Sequence, residues 1–587
     1  MKTHAATRTA IRPAAFSAVM LAAFASSASA GDLQFTEKAQ AVGLTGGHAA
    51  PNGFGLQIML GGSGVGDFDR DGDQDIFVVG GSLGVNQLYI NDGSGTFTEQ
   101  AAAWGTDSPG VRHSGVSVAD YNNDGWLDLF VTCVLENGTT GLAENRLYRN
   151  NGDNTFTDVA ASAGVQIIPR ESNDSFSSAF GDYDKDGDLD LFIAGWYGGN
   201  HLYTNNGDGT FTPQPDSVFG GEVMDLIRGY SARFTDINAD GWPDILLAAD
   251  FFTSKVFINN TDGTFTNATA AWGAGLDSNG MGHTQGDFNN DGLIDWYVTS
   301  RIAPGGQAGS GNMLYMNNGN DTFTERSVAA GVNFGSWGWG ADAVDFDHDG
   351  WVDLIATNGW AGSVFEDDQT YLWRNDGTAV GDFTDITTQV GITHTGQGRG
   401  LLTFDADNDG DRDLIINNNA QPITYYENTL TGADINALTL FFDTQGAPDL
   451  PPDGFGVRVE VDTPAGTQLR EMDGGSNFLS QSELSAHVGL GSSAAADEVR
   501  VTWPNGQVTT LTNLASGRHT VTPPTANAGC NPADVAEPFD VLDLADVQGF
   551  IAAFVTQSDP ADIAEPFGVF DLADLQGFVG AFVAGCP

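Results

Sequence analysis

Residues 182–195 read DYDKDGDLDLFIAG: five aspartates in alternation, a glycine among them, then an apolar run that ends in a second glycine. Asp182, Asp184, Asp186 and Asp190 fall at positions 1, 3, 5 and 9 of a loop. Gly187 stands at position 6, where a calcium loop turns sharply, and Asp188 at position 7 offers its backbone carbonyl. Left unneutralised, such carboxylates repel at close range. Calcium takes about 6–8 hard oxygen ligands and suits the cluster. An EF-hand would add a bidentate Glu and a helix. Here LFIAG follows, a short apolar run that reads as a buried strand. The pattern predicts a calcium loop between two strands; the alternative is a solvated acidic turn.

The loop recurs seven times. The copies are DFDRDGDQD from Asp67, DYNNDGWLD from Asp120, the quoted copy from Asp182, DINADGWPD from Asp236, DFNNDGLID from Asp287, DFDHDGWVD from Asp345 and DADNDGDRD from Asp405. Positions 1, 5 and 9 are always Asp, position 6 is always Gly, and position 3 is Asp or Asn. An alternating segment precedes each loop, as in GVSVADY at 115–121, and an apolar segment follows, as in LDLFVTC at 127–133. Then come pairs such as QLYINDGSGTFTEQA, in which Asn-Gly or Asp-Gly turns flanked by β-formers mark hairpins. Four-stranded units repeated at 51–62 residues indicate an all-β, seven-bladed β-propeller over 31–430. The seventh repeat lacks its last strand after ITYYENTL at 423–430, and LQFTEKAQAVGL at 33–44 matches GTFTEQAAAWGT at 95–106. The early segment is thus expected to complete the last blade and remove a free edge. A two-sheet sandwich is the competing architecture and leaves the split repeat unexplained.

GDFDRDGDQDIFVVG and FGDYDKDGDLDLFIAG resemble the FG-GAP/VCBS repeats of integrin α-subunit propellers and of many secreted bacterial proteins. The resemblance implies up to seven Ca2+ ions, one in each loop between a blade's first two strands. The ligand sets it implies are Asp67, Asp69, Asp71 and Asp75; Asp120, Asn122, Asp124 and Asp128; and Asp182, Asp184, Asp186 and Asp190. They continue as Asp236, Asn238, Asp240 and Asp244; Asp287, Asn289, Asp291 and Asp295; Asp345, Asp347, Asp349 and Asp353; and Asp405, Asp407, Asp409 and Asp413. Loops with Asn at position 3 carry less charge and should bind more weakly.

Beyond the repeats, FGVRVEVDTPAGTQLREM and DEVRVTWPNGQVTTL alternate around Pro/Gly turns and predict hairpins of a small β domain over 437–522. DGFGVRVEV, DGGSNFLSQSELSAHVGLG and VRVTWPNGQV resemble the ASPIC/UnbV domain, which follows such propellers in cartilage acidic protein-like chains. Residues 523–529 read as a linker. Two copies of one unit then fill 530–587, with apolar residues at helical spacing and Asp543 and Asp571 placed to cap. They resemble a degenerate dockerin, implying a cohesin-like partner; no D-x-N-x-D-G survives, and Asp534, Asp543, Asp546, Asp562, Asp571 and Asp574 remain candidate ligands. Cys530 and Cys586 bracket this small module and suggest a disulfide, leaving Cys133 as a buried apolar residue.

The chain carries 22 Lys+Arg against 77 Asp+Glu, a formal charge of −55, which excludes nucleic-acid binding through phosphates. Lys2, Arg8 and Arg12, the apolar stretch 14–25 and ASA at 28–30 read as a signal peptide over 1–30, so an exported protein is expected. Its removal takes away three basic residues and no acid, giving −58. No later run is long enough to span a membrane. A binding or adhesion protein for an extracellular protein or glycan, with structural calcium, is the favoured class. A lectin is second, with Trp104, Trp272, Trp337, Trp339 and Trp360 as candidate platforms. An enzyme using the propeller channel through His113, Arg228, His283 and Arg399 is third, since no nucleophile–base motif, H-E-x-x-H or phosphate loop accompanies them.

Overall fold

The computed structural model describes residues 32–49, 56–82, 84–134, 144–166, 174–197, 199–302, 309–464, 466–475 and 477–524. Seven four-stranded antiparallel sheets of one design occur among them. In the first, Ser63–Gly66, Asp75–Val78, Gln87–Asn91 and Phe97–Glu99 pair in chain order. The second strand of every sheet starts on the position-9 aspartate and is buried throughout, which is why it reads as continuous apolar sequence. The fourth strand is three residues long in six sheets. Its Phe is buried, as at Phe97, Phe156 and Phe265, while the Thr that follows faces solvent. A short edge carrying Thr and charge offers little to a neighbouring chain.

The seventh sheet is composite. Gly398–Phe404, Asp413–Asn418 and Thr424–Thr431 supply three strands, and Asp32–Glu37 supplies the fourth, with Phe35 opposite Asn428. Phe35 is 2% exposed and meets Phe346 edge-on at 5.5 Å.

A repeated hydrogen bond orders the sheets into a ring. Each third strand carries an Asn, its last residue in six sheets and Asn428 inside Thr424–Thr431 in the seventh, whose side-chain amide donates to the position-2 carbonyl of the preceding sheet's loop. The pairs are Asn150 to Phe68, Asn205 to Tyr121, Asn259 to Tyr183, Asn317 to Ile237, Asn375 to Phe288 and Asn428 to Phe346. Asn91 reaches Ala406 and closes the cycle. The architecture is an all-β propeller.

A second β unit follows. Asn436–Phe442 lies between antiparallel Ala486–Gly491 and parallel Gly517–Val521. A further sheet holds Gly466–Glu471, Arg458–Thr463, Ala495–Thr502 and Val508–Ala515 in that order. Val457, Val459, Val461, Val499, Val501 and Trp503 fill the space between.

Residues 473–475 and 477–483 of this unit enter the axis of the propeller and touch the innermost strand of every sheet. Gln481 N–H donates to Ser63 O (3.0 Å), Val116 N–H to Leu479 O (3.2 Å), and Gly474 bridges Phe180. Asp473 pairs with Arg233 and accepts from Gln285 Nε2 at 2.8 Å. Ser482 donates to Asp342 (2.6 Å), and Glu483 N–H donates to Thr403 O (3.1 Å). Gly62 makes the fit: a Cβ there would lie 2.1 Å from Leu479 O. Phe478 and Leu479 end among Met59, Leu60, Tyr230, Met281 and Trp339.

The proposed signal peptide, the Cys530–Cys586 pair and the 530–587 module lie outside the described residues, as does most of the 523–529 linker. Cys133 is buried, and burial pushes its thiol up to about 12.

Candidate metal centres

Each loop is wound around its first aspartate. In the first copy Asp71 and Gly72 donate backbone N–H groups to the two oxygens of Asp67 at 3.1 and 3.0 Å. The second to fifth copies and the seventh repeat both bonds, at Asp120, Asp182, Asp236, Asp287 and Asp405. In the sixth, Gly350 donates to Asp345 at 2.9 Å. Position 6 has φ between 85° and 98° in all seven, which only glycine adopts freely. Position 4 is also left-handed in all seven, although it holds Arg70, Asn123, Lys185, Ala239, Asn290, His348 and Asn408. A left-handed residue recurring at one place, whatever its side chain, is held there by its surroundings.

The ninth position does a separate task. Asp75 accepts the N–H of Phe68 at 3.0 Å on one oxygen and that of Asn91 at 2.9 Å on the other. It ties the loop to the third strand. The Asn N–H bond recurs at Asp128, Asp190, Asp244, Asp295, Asp353 and Asp413. The third-strand Asn was not singled out in the sequence, yet it stands in all seven copies of the motif LYIN, LYRN, LYTN, VFIN, LYMN, LWRN and YYEN. That repetition was the available signal.

Carboxylate oxygens converge within 4.8 Å in four loops: Asp67/Asp69/Asp71, Asp182/Asp184/Asp190, Asp345/Asp347/Asp353 and Asp405/Asp407/Asp409. In the other three, Asn122, Asn238 and Asn289 donate their amides to Asp124, Asp240 and Asp291 at 2.9–3.0 Å, so fewer charges meet. The donors are hard oxygens, and several are short of partners. Asp184 Oδ1, Asp345 Oδ1 and Asp244 Oδ2 are buried with no hydrogen bond. Burial, then neighbouring carboxylates, raises Asp349 to about 8. Burial also raises Asp182 and Asp345 to about 7, and Asp67 to about 6. A buried, electron-rich, partly unpartnered oxygen set fits a hard divalent cation such as Ca2+.

The channel candidates are bound structural groups. His113 Nδ1 hydrogen-bonds Asn86 at 2.9 Å, and His283 Nδ1 accepts from Trp296 Nε1 at 2.9 Å. Burial lowers His113 to about 3, so the ring is neutral. Arg228 donates to Trp196 O, and Arg399 to the carbonyls of Ile58, Gly359 and Gly398. Residues 473–475 and 477–483 occupy the axis these four were expected to line. Of the lectin candidates, Trp104 and Trp272 pack on Phe156 and Phe323 between sheets, and Trp339 is fully buried. Trp337 and Trp360 are half-buried and stack at 4.4 Å and 6°.

Family models for the FG-GAP-like repeat match residues 67–131, 134–193, 182–247, 236–298 and 302–356, and a model for ASPIC and UnbV matches 448–528. The chain carries FG-GAP-like repeats followed by an ASPIC and UnbV domain. The matched ranges take in the first six of the loops described above, and the loop from Asp405 lies beyond them. The chain is 28% identical over 500 residues to human cartilage acidic protein 1, covering 77% of this chain and 70% of that protein. It is 30% identical over 212 residues to chicken integrin alpha-V, covering 32% and 19%. Among solved structures, the BP39L lectin from Burkholderia pseudomallei aligns with 63% of this chain and 96% of its own at 8% identity and a TM-score of 0.39. Among the described residues no helix is long and apolar enough to cross a membrane.

Proposed function

We propose that this is an exported, calcium-stabilised, non-catalytic binding protein whose propeller recognises an extracellular protein or glycan through the face opposite the FG-GAP loops. One observation carries the reading. The ASPIC and UnbV domain lies against the loop side and fills the axis, while the connections at the other end of the sheets bear an exposed aromatic cluster. That cluster gathers Tyr197 and Phe251 around Trp196, with Phe252 next in the chain, and Phe251 and Phe252 are 57% and 61% exposed. Both have positive φ, 54° and 60°, in the turn from Asp250 to Lys255. Two adjacent left-handed aromatics aimed at water are costly unless they bind something. Arg228 lies over Trp196 and Tyr197 in the same cluster, at 5.7 and 5.8 Å.

The calcium in this reading is structural: it neutralises the loops and leaves the ligand to the far face. Relatedness to cartilage acidic protein 1 and integrin alpha-V supports a binding role. A lectin is the second reading, favoured by the half-buried, stacked Trp337–Trp360 pair at that same end, since aromatic rings suit the apolar faces of sugars. The test is capture from cell-surface extracts and on glycan arrays, comparing the protein with its F251S/F252S variant. Ligand capture lost in the variant supports the assignment, and equal capture by both removes it. A signal on glycans alone selects the lectin.

The 530–587 module is proposed as a docking appendage for a cohesin-like partner, stapled by Cys530–Cys586. Non-reducing mass spectrometry decides the staple.

A further inference from the structure

Carboxylates of the ASPIC and UnbV domain face several loops: Glu483 accepts the N–H of Asp405 at 3.1 Å in the seventh, Asp453 stands by Asp120 in the second, and a third such group faces the fourth. Glu471, the last residue of strand Gly466–Glu471 in the ASPIC and UnbV domain, reaches across to it. Its Oε1 accepts the backbone N–H of Asp236 at 2.8 Å, and its Oε2 accepts from Thr235 Oγ1 at 3.2 Å. Asp240 and Asp244 stand near, three carboxylates from the ring and one from the other domain, more widely spaced than the sets in the four loops above. Asp244 is fully buried; Oδ1 takes the N–H of Asn259 at 2.7 Å, and Oδ2 has no hydrogen-bond partner.

Two cations face this group. Arg458 stands near Asp236 and Glu471 while donating to Gly292 O at 2.8 Å. Lys185 stands near Asp236 and Asp240 while donating to Pro504 O at 2.9 Å. Asp473, also near Glu471, is matched by Arg233. Both cations are shared, Lys185 with Asp182 and Arg458 with Glu460 at 3.7 Å, so the four carboxylates keep a negative excess that a divalent ion would offset. The group borders a cavity of about 440 Å³ between the two domains, lined by Lys185, Asp236, Asp240, Arg458, Glu471 and Trp503, which gives an ion a path in.

We propose that the fourth loop is an interdomain divalent-cation site in which Glu471 acts with Asp236, Asp240 and Asp244, so that one ion fastens the ASPIC and UnbV domain to the ring. The inference rests on the reading of the FG-GAP loops as calcium sites. It adds that calcium holds residues 473–475 and 477–483, starting two positions further along the chain, in the propeller axis. The site is weak in its own loop because Asn238 replaces an aspartate, and Glu471 restores the missing charge from outside.

The full chain is compared with Glu471→Gln, which keeps an acceptor for the Asp236 N–H and removes only the charge. Calcium binding is read by equilibrium dialysis, and hydrogen exchange of residues 473–483 is followed with and without millimolar calcium. One site is expected to weaken about tenfold. Protection of 473–483 should fall at calcium levels that still fill the other loops. Asp244→Asn should give the same two changes from the ring side. Asp69→Asn, in the first loop, should weaken a site without touching 473–483. An unchanged isotherm and unchanged protection in both Glu471→Gln and Asp244→Asn overturn the interdomain assignment alone. Absence of any calcium binding by the unaltered chain overturns the calcium reading as well.

Discussion

The side-chain amide of Asn91 donates to the carbonyl of Ala406 at 2.8 Å, across 315 positions of sequence. The same bond joins every other neighbouring pair of sheets. The propeller is therefore held by buried polar contacts at each junction as well as by apolar packing, and each metal loop is anchored to the sheet beside it.

Asn150→Ala tests that link. Its amide serves Phe68 O and Leu127 O at 2.9 and 3.3 Å, and both carbonyls would be left short inside the protein. A loss of roughly 2–4 kcal/mol is expected. Thermal melting should fall by several degrees, whereas truncating the exposed neighbour Asn151 should cost less than about 0.5 kcal/mol.

Calcium should raise the melting temperature. At about 1 mM free ion and dissociation constants of roughly 10⁻⁴–10⁻³ M, each filled loop adds about 0.4–1.4 kcal/mol. Scanning calorimetry in chelator and in calcium measures the sum. Superimposable traces would contradict a structural ion.

The effect should grow with pH. In the metal-free protein burial holds Asp67 near 6, Asp182 and Asp345 near 7, and Asp349 near 8. A carboxyl raised above its unfolded value stabilises the fold fully below about pH 4 and loses that contribution as pH climbs through the folded value. Chelated protein should thus melt progressively lower from about pH 5 to pH 8. Calcium needs the ionised form, so its stabilisation should be larger at the alkaline end.

Removing residues 32–37 leaves Tyr426 and Phe346 without Phe35 and opens the composite sheet. Loss of a buried Phe costs about 3–5 kcal/mol. A synthetic peptide of residues 32–44 should restore the melting temperature in a saturable way. A truncated protein that melts like the full chain would show that this strand contributes little.

The sheet pattern was legible because each repeat writes its punctuation in side chains: Asp at position 9 opens a strand, Gly at position 6 makes the turn, and Phe heads the outer strand. The composite seventh sheet was legible from the displaced LQFTE segment. The Asn relay was visible as a repeated letter without visible geometry, since nothing in LYIN tells which carbonyl its amide meets. The axial segment was hidden for another reason. Phe478 and Leu479 look like ordinary core residues, and the glycines that admit Leu479 and Ser480, namely Gly62, Gly115 and Gly400, sit far away in the chain. The left-handed position 4 was hidden because Arg, Lys and His there obey no local preference; tertiary structure imposes it. The pairing of Glu471 with the fourth loop is likewise a long-range fact.

The composite sheet sets an order on biogenesis. Phe35 emerges from the ribosome 393 residues before its partner Asn428. At about 5–20 residues per second the first strand waits roughly 20–80 seconds with an unpaired edge. Only then is the wheel complete, and the segment that fills its hub is synthesised later still. An assembly locked from its last-made part is slow to form, exposed to chaperones while open, and correspondingly slow to come apart once shut.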